Sequence, residues 1–129
     1  MLFRSALADC ATDQVLYNLE HRGVEFDLLP FCRERRMPVM AYSPVGQGGA
    51  LLRHPALQGV ARRLGATPAQ VAIAWTLRQG GVISIPKAAD EAHVRLNAAA
   101  GELRLAPEDL EALDAAFPPP KRKRSLAML

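Results

Sequence analysis

Two short apolar runs in this 129-residue chain end on side chains suited to holding a ligand. The run Met37-Pro38-Val39-Met40-Ala41-Tyr42 ends on an aromatic ring, and a planar aromatic face stacks well on another π-system. The run Val82-Ile83-Ser84-Ile85 breaks at Pro86-Lys87, just before a predicted helix. A lysine beside a helix N-terminus suits a phosphate, because its charge and the exposed amides attract the same anion. A lone lysine after proline, taken without any partner motif, is ordinarily a solvated surface charge.

Other chemistry is sparse. Cys10 and Cys32 lack CxxC spacing, and neither has a His or carboxylate cluster at metal-ligand spacing, so no metal site is expected. They read as reduced, partly buried thiols. His21 and His54 flank loops and have no partner at usable spacing, so both read as surface residues. Glu25, Asp27 and Glu34 read as a solvated helix face and not as an acid/base pair. No GxGxxG or GxxxxGK[ST] opens a helix. The glycine-rich Gly46-Gln47-Gly48-Gly49 lacks that spacing and reads as a flexible loop.

These residues must be positioned by alternating elements. A first apolar run, Gln14-Val15-Leu16-Tyr17, precedes helical periodicity through Phe26, Leu28, Leu29 and Cys32. That helix is expected to end among Arg33, Arg35 and Arg36, where cations suit the negative end of its dipole. The Met37–Tyr42 run follows. A helix opens near Pro55, carries Leu57, Val60, Ala61 and Leu64, and meets a natural C-cap at Gly65. Thr67-Pro68-Ala69-Gln70 is the clearest start signal, a capping box with proline at the first helical position. Val71, Ala74, Trp75 and Arg78 recur at helical spacing after it, which assigns Trp75 to the core. The third run, Val82–Ile85, leads to Asp90 as N-cap of a helix with Val94 and Ala98. A last helix starts at Pro107, with Glu108 and Asp109 in its first turn and Leu110, Leu113 and Phe117 along it, and stops before Pro118-Pro119-Pro120. Three strand–helix alternations with near-continuous apolar strands predict a parallel α/β sheet, doubly wound or (β/α)8.

Composition narrows the function classes. Half the residues are hydrophobic and 22% are charged, which excludes a disordered chain. The net charge of +3 belongs to Lys121, Arg122, Lys123 and Arg124; the remaining residues hold 12 cations against 13 carboxylates. The pI of 9.2 therefore describes a tail rather than a basic face, and nucleic-acid binding by the body is not expected. The four cations read as a solvated tail, with an anionic contact as the alternative. No apolar run approaches the ~20 residues that span a bilayer, so no membrane partner is expected. Met1–Ala8 is too weakly apolar for a signal peptide, and a cytoplasmic protein is expected.

An ordered set of strings carries a family resemblance. It runs through Asp13-Gln14-Val15-Leu16-Tyr17-Asn18-Leu19, Arg22-Gly23-Val24-Glu25-Phe26 and Leu28-Leu29-Pro30. It continues through Met40-Ala41-Tyr42-Ser43-Pro44, the Thr67–Ala72 helix with Trp75, Ile85-Pro86-Lys87 with His93 and Asn97, and Leu110-Glu111-Ala112-Leu113-Asp114. In that order they resemble the aldo-keto reductase family, and its bacterial branch of small single-chain reductases most of all. The resemblance implies the last three βα units of a (β/α)8 TIM barrel, with residues 1–129 a partial oxidoreductase domain and 118–129 a proline-rich basic tail. A complete barrel takes ~250 residues, so the first five strands have no counterpart in this chain.

The resemblance also implies which residues act. No residue here matches the family's catalytic Asp, Tyr, Lys and His: neither Tyr17 nor Tyr42 occupies the proton-donor position, and Lys87 is not the lysine that tunes it. What carries over is a cofactor cradle. Gln14 matches the side chain that hydrogen-bonds the nicotinamide carboxamide, and Tyr42 the aromatic that stacks on the ring. Ser43, Pro44, Val45 and Gln47 match the segment around the pyrophosphate. Lys87 matches the lysine that pairs with the adenosine phosphates, and His93 and Asn97 match positions near phosphate and adenine. Ala88 stands where the family commonly has Ser or Thr, and His93 where it often has Arg. Loss of a hydroxyl and a guanidinium weakens selection for the 2′-phosphate, so NADP is expected as the cofactor with NAD as the alternative. His93 contributes charge when protonated.

The expectation is therefore the C-terminal portion of an NAD(P)H-dependent carbonyl reductase, inactive alone. A small carbonyl substrate would be handled only after completion by an N-terminal half. The alternative is a non-enzymatic interaction module. Three strands leave two open edges, and Val15, Val39 and Ile83 are expected to face water where further strands would sit, so self-association is the predicted partner behaviour.

Overall fold

Short apolar runs separated by proline, glycine and charged residues fold into strands, each followed by one or two helices, in the computed structural model, which describes residues 10–47 and 49–128. Strand β1 is Asp13–Leu16, helix α1 Leu28–Glu34, strand β2 Val39–Tyr42, helices α2 and α3 Pro55–Leu64 and Pro68–Leu77, strand β3 Val82–Ile85, helix α4 Glu91–Ala99 and helix α5 Pro107–Ala116. Short 3-10 turns occupy Gly23–Glu25, Leu51–Arg53 and Ala100–Glu102. The strands form one parallel sheet in the order β1-β2-β3. Parallel neighbours require crossovers, supplied by α1 and then by α2 with α3.

The pairing register defines two faces, since successive side chains point to opposite sides of a strand. Gln14, Met40 and Ile83 stand in one row, and Val15, Ala41 and Ser84 in the next. The helices cover the second face. Val15 and Val39 are 8% and 1% exposed, packed in one core with Leu57, Val60 and Ala61 of α2 and Val71, Ala72 and Trp75 of α3. The expectation that Val15 and Val39 face water is thus overturned, because both lie on the helix-covered side. Ile83, on the other row, is 45% exposed as expected. A parallel sheet with helices along one side and an open apolar face opposite is a sector of a (β/α)8 barrel wall.

Local signals set most helix ends. Thr67 Oγ1 accepts the Gln70 N–H, and Gln70 Oε1 accepts the Thr67 N–H, completing the capping box. Gly65 takes φ +62° at the end of α2, a left-handed cap that glycine adopts without a Cβ penalty. Asp90 caps α4 by accepting the His93 N–H. Helix α3 departs from a single-stripe amphipathic pattern: Val71 through Thr76 are all buried. Contacts with α2, α4 and β3 enclose it on several sides, and small Ala72 and Ala74 allow close approach.

Three boundaries differ from the sequence expectation. The run placed at Gln14–Tyr17 forms a strand at Asp13–Leu16, and that placed at Met37–Tyr42 begins at Val39. Phe26 precedes α1 and is exposed, and only Arg33 lies in the last turn; Arg36 follows the helix at φ +53°. Residues 118–128 form neither helix nor strand, and Lys123 pairs with Asp27 at 2.7 Å. Among the described residues no helix is long and apolar enough to cross a membrane.

Candidate functional site

The carboxyl ends of β2 and β3 present the side chains singled out by type. Tyr42 is the last residue of β2, half-buried, and pairs in register with Leu16 and Ile85. Lys87 follows Ile85 by two residues, so it leaves the same end of the adjacent strand. Lys87 is exposed and makes no ion pair among the described residues. Gln14 is exposed and shares the face of Tyr42, but pairs with Met40, two residues earlier. That offset is about 7 Å along the strand.

Beyond Tyr42 the chain makes a tight turn. The Gly46 N–H donates to the Ser43 carbonyl at 3.0 Å, with Pro44 fully buried between them and Val45 half-buried. Gly46 has φ +71°, a backbone that favours glycine, and a Cβ there would crowd Leu51 Cβ at 3.1 Å. Ser43 has φ +49° although it is not glycine and precedes proline. Such a backbone costs on the order of 1–3 kcal/mol and persists only where surroundings impose it. Gln47 is exposed at the end of this turn.

The residues on the β3 side are spread more widely. Ala88 and Asn97 line one recess of about 370 Å³ together with Ser84 and Pro86, and Ser84 Oγ is buried there without a hydrogen-bond partner. His93 stands apart on the solvent side of α4, its Nδ1 2.5 Å from Asp90 Oδ2, both side chains largely exposed. The His93 amide and ring hold the Asp90 carboxyl below its ordinary range, the backbone hydrogen bond contributing most. The N-terminal turn of α4 is therefore already capped by a carboxylate, a competitor for any anion approaching it.

A buried polar cluster lies under the β1 end of the sheet, and the sequence pattern does not disclose it. Glu25, expected on a solvated face, is only 10% exposed and meets Arg22 at 2.8 Å and Arg78 at 2.7 Å. The Tyr17 hydroxyl donates to Glu25 Oε1 at 2.7 Å and accepts from Arg78. Arg22 also reaches Asp114 and the Phe117 carbonyl, joining this cluster to α5. Both guanidinium groups lie over the Trp75 ring, 3.7 Å away for Arg78 and 4.9 Å for Arg22. Burial opposes ionisation of Glu25, but hydrogen bonds from Arg22, Tyr17 and Arg78 outweigh it and hold the carboxyl below its ordinary range. Burial pushes the Tyr17 hydroxyl far above its ordinary value. Burial, reinforced by the Asp13 carboxylate, pushes the Cys32 thiol up as well.

The two histidines read as surface residues have partners. His54 Nδ1 accepts the Ala56 N–H as N-cap of α2, and its ring lies 4.5 Å from Phe117. His21 Nδ1 is 3.1 Å from Asn18 Oδ1. Asn18 is itself buried, accepts the Glu20 and His21 N–H groups, and donates through Nδ2 to the Ser43 carbonyl at 2.9 Å. The one signal for this in the sequence is the Tyr17-Asn18 pair at the end of the first run.

A recess of about 880 Å³ lies between the segment after β1 and the chain beyond α5. Leu19, Val24 and Phe117 floor it, and Lys121, Arg122 and Arg124 line its rim. Among the described residues there is no cluster of three metal-ligating side chains.

This parallel sheet, helix-covered on one face, with an aromatic and a lysine at the strand carboxyl ends, has close counterparts. The model of the aldo/keto reductase family matches residues 3–117. The chain belongs to that family, whose members are oxidoreductases built on the TIM barrel. Methylglyoxal reductase YeaE of Escherichia coli is 48% identical over 124 residues, covering 93% of this chain and 44% of the relative. Pyridoxine 4-dehydrogenase of the same species is 37% identical over 109 residues, covering 84% of this chain and 33% of the relative. The crystal structure of an aldo-keto reductase from Klebsiella pneumoniae in complex with NADPH superposes with a TM-score of 0.91 at 47% identity, covering 95% of this chain and 44% of that one. The chain thus spans less than half the length of these relatives.

Proposed function

We propose that this chain carries part of the nicotinamide dinucleotide cradle of an aldo/keto reductase, for NADP(H) first and NAD(H) second. The observation that carries this is the emergence of Tyr42 and Lys87 from the same end of neighbouring strands, Tyr42 leading directly into the Ser43–Gly46 turn. Gln14 would hydrogen-bond the carboxamide, Tyr42 would stack on the nicotinamide, and Ser43, Pro44, Val45 and Gln47 would follow the pyrophosphate. Lys87 would pair with the adenosine phosphates, with Ala88, His93 and Asn97 beside the adenosine. The residues suit such a group: a half-exposed ring face, a turn on a buried proline and a cation with no carboxylate partner among the described residues. The Klebsiella pneumoniae relative, crystallised with NADPH, supports the same ligand.

When bound, the reduced cofactor supplies a hydride to a carbonyl carbon. Protonation of the carbonyl oxygen needs an acid that no residue of this chain matches, and burial holds the Tyr17 proton among Glu25 and Arg78. On this reading residues 1–129 form a partial barrel domain in the cytoplasm, with 118–129 as a basic extension. A small aldehyde or ketone is then reduced only when further barrel strands complete the pocket. Fluorescence titration with NADPH tests the cradle. Saturable binding that weakens in both Tyr42→Ala and Lys87→Ala is expected, and no binding by a folded chain refutes it.

The open row of Gln14, Met40 and Ile83, with strand edges at β1 and β3, favours a second reading as a self-associating module. Sedimentation velocity separates the two: a concentration-dependent dimer suppressed by Ile83→Lys is the expected signature.

A further inference from the structure

We infer that Asn18 is a positioning residue for the cofactor turn, clamping the backbone between Tyr42 and Gly46 into its strained shape. The inference rests on the cradle proposed above. Ser43 combines a left-handed φ of +49° with a following proline, a pairing that local sterics disfavour twice over. Nothing in its own side chain relieves this, since Ser43 Oγ makes no hydrogen bond among the described residues. Its carbonyl instead accepts two hydrogen bonds: one from the Gly46 N–H within the turn, and one from Asn18 Nδ2, which stands 25 residues earlier in the chain.

The orientation of the Asn18 amide is settled by its other end. Oδ1 faces the Glu20 and His21 backbone N–H groups, both at 2.9 Å, so the group turned to Ser43 is the NH₂ donor. Asn18 is buried beside Tyr17, whose hydroxyl is fixed by Glu25 and Arg78. The clamp therefore has a rigid anchor. Ser43 directly follows Tyr42, so its carbonyl direction sets both the exit of the Tyr42 backbone and the line of the turn. A strained conformation held by a long-range hydrogen bond beside a ligand site is the kind of feature that pre-organises binding.

Asn18→Asp separates the two arms of this side chain. The carboxylate still accepts from Glu20 and His21, so the loop after β1 stays capped, but it presents an oxygen to the Ser43 carbonyl where a donor stood. The expected result is NADPH binding weaker by on the order of tenfold and faster hydrogen exchange at the Gly46 amide, with a lower melting temperature because a buried carboxylate then faces a carbonyl oxygen. In the Ser43→Gly background the left-handed backbone needs no clamp, so the same Asn18→Asp change should then cost less in both readouts. Unchanged affinity and unchanged Gly46 exchange in Asn18→Asp would overturn the inference. So would an equal loss in both backgrounds, which would make Asn18 a general loop residue. If the unchanged chain binds no NADPH, the cradle falls, and Gly46 exchange in the same four proteins still decides whether Asn18 holds the turn.

Discussion

Two regions of this molecule use the same residue types to opposite ends. Under β1, Glu25 sits between Arg22 and Arg78 at about 10% exposure, with both guanidiniums over Trp75. On α4, Glu91 pairs with Arg95 and Asp90 with His93 at 57–77% exposure. In the first region desolvated charges and a neutral tyrosine must all be mutually satisfied, so the cluster behaves as one part and ties the segment after β1 to α3 and α5. In the second, water competes with every pair, and each side chain is individually solvated. The anchoring cluster and the exposed helix thus differ by burial and not by composition.

The largest effect expected from breaking this contrast is at Glu25. Glu25→Ala removes the carboxylate that two guanidiniums share, leaving Arg22 with Asp114 alone and Arg78 with no ion pair among the described residues, and should destabilise the chain by about 3–5 kcal/mol in urea denaturation. Trp75→Ala removes the fully buried ring they flank and should cost a similar ~3–5 kcal/mol. A loss under 1 kcal/mol in either variant would mean the cluster is not an anchor.

The next effect is in pH dependence. Glu25 has a folded pKa below its ordinary 4.5, so its stabilising contribution is complete above that value and is lost as pH falls below it. Tyr17 is shifted the other way: its contribution is complete below its ordinary 10.0 and declines as pH rises beyond it. Denaturation midpoints across pH should fall at both ends, and Tyr17→Phe should flatten the alkaline limb while also weakening the acid limb, because Glu25 loses one of its three hydrogen-bonding partners. An unchanged alkaline limb in that variant would refute the assignment.

Thr67→Ala, which removes half of the capping box of α3, should cost about 1 kcal/mol by the same denaturation measurement. The smallest effect is expected on α4. Glu91→Ala breaks an exposed i,i+4 pair with Arg95 and should change stability by under ~0.5 kcal/mol. A larger loss would show that α4 is anchored by its surface pairs.

Much of the fold was legible because its signals are local. The Thr67–Gln70 box, Gly65, Asp90 and Pro107 each act within one turn of helix, and the three apolar runs bounded by polar and proline residues became the three strands with small shifts in their ends. Tyr42 and Lys87 were legible for the same reason, since each stands where a run stops. Glu25 and the two histidines were misread because spacing shows which side chains share a helix face but not what is packed against it. Arg78 reaches Glu25 across 53 residues, and no pattern in either segment announces the contact. Val15 and Val39 were misplaced for a related reason: alternation predicts two faces of a strand without saying which one the helices cover.

What the sequence determined by itself was the order and type of the elements, the family, and the residues able to stack on a ring or attract a phosphate. Only the tertiary structure decided which charges are buried, which sheet face stays open, and that Asn18 reaches the Ser43 carbonyl across 25 residues. The physical reason is range. Caps, periodicity and turn residues act through neighbours along the chain, whereas desolvation and long-range hydrogen bonds exist only once distant segments share one interior.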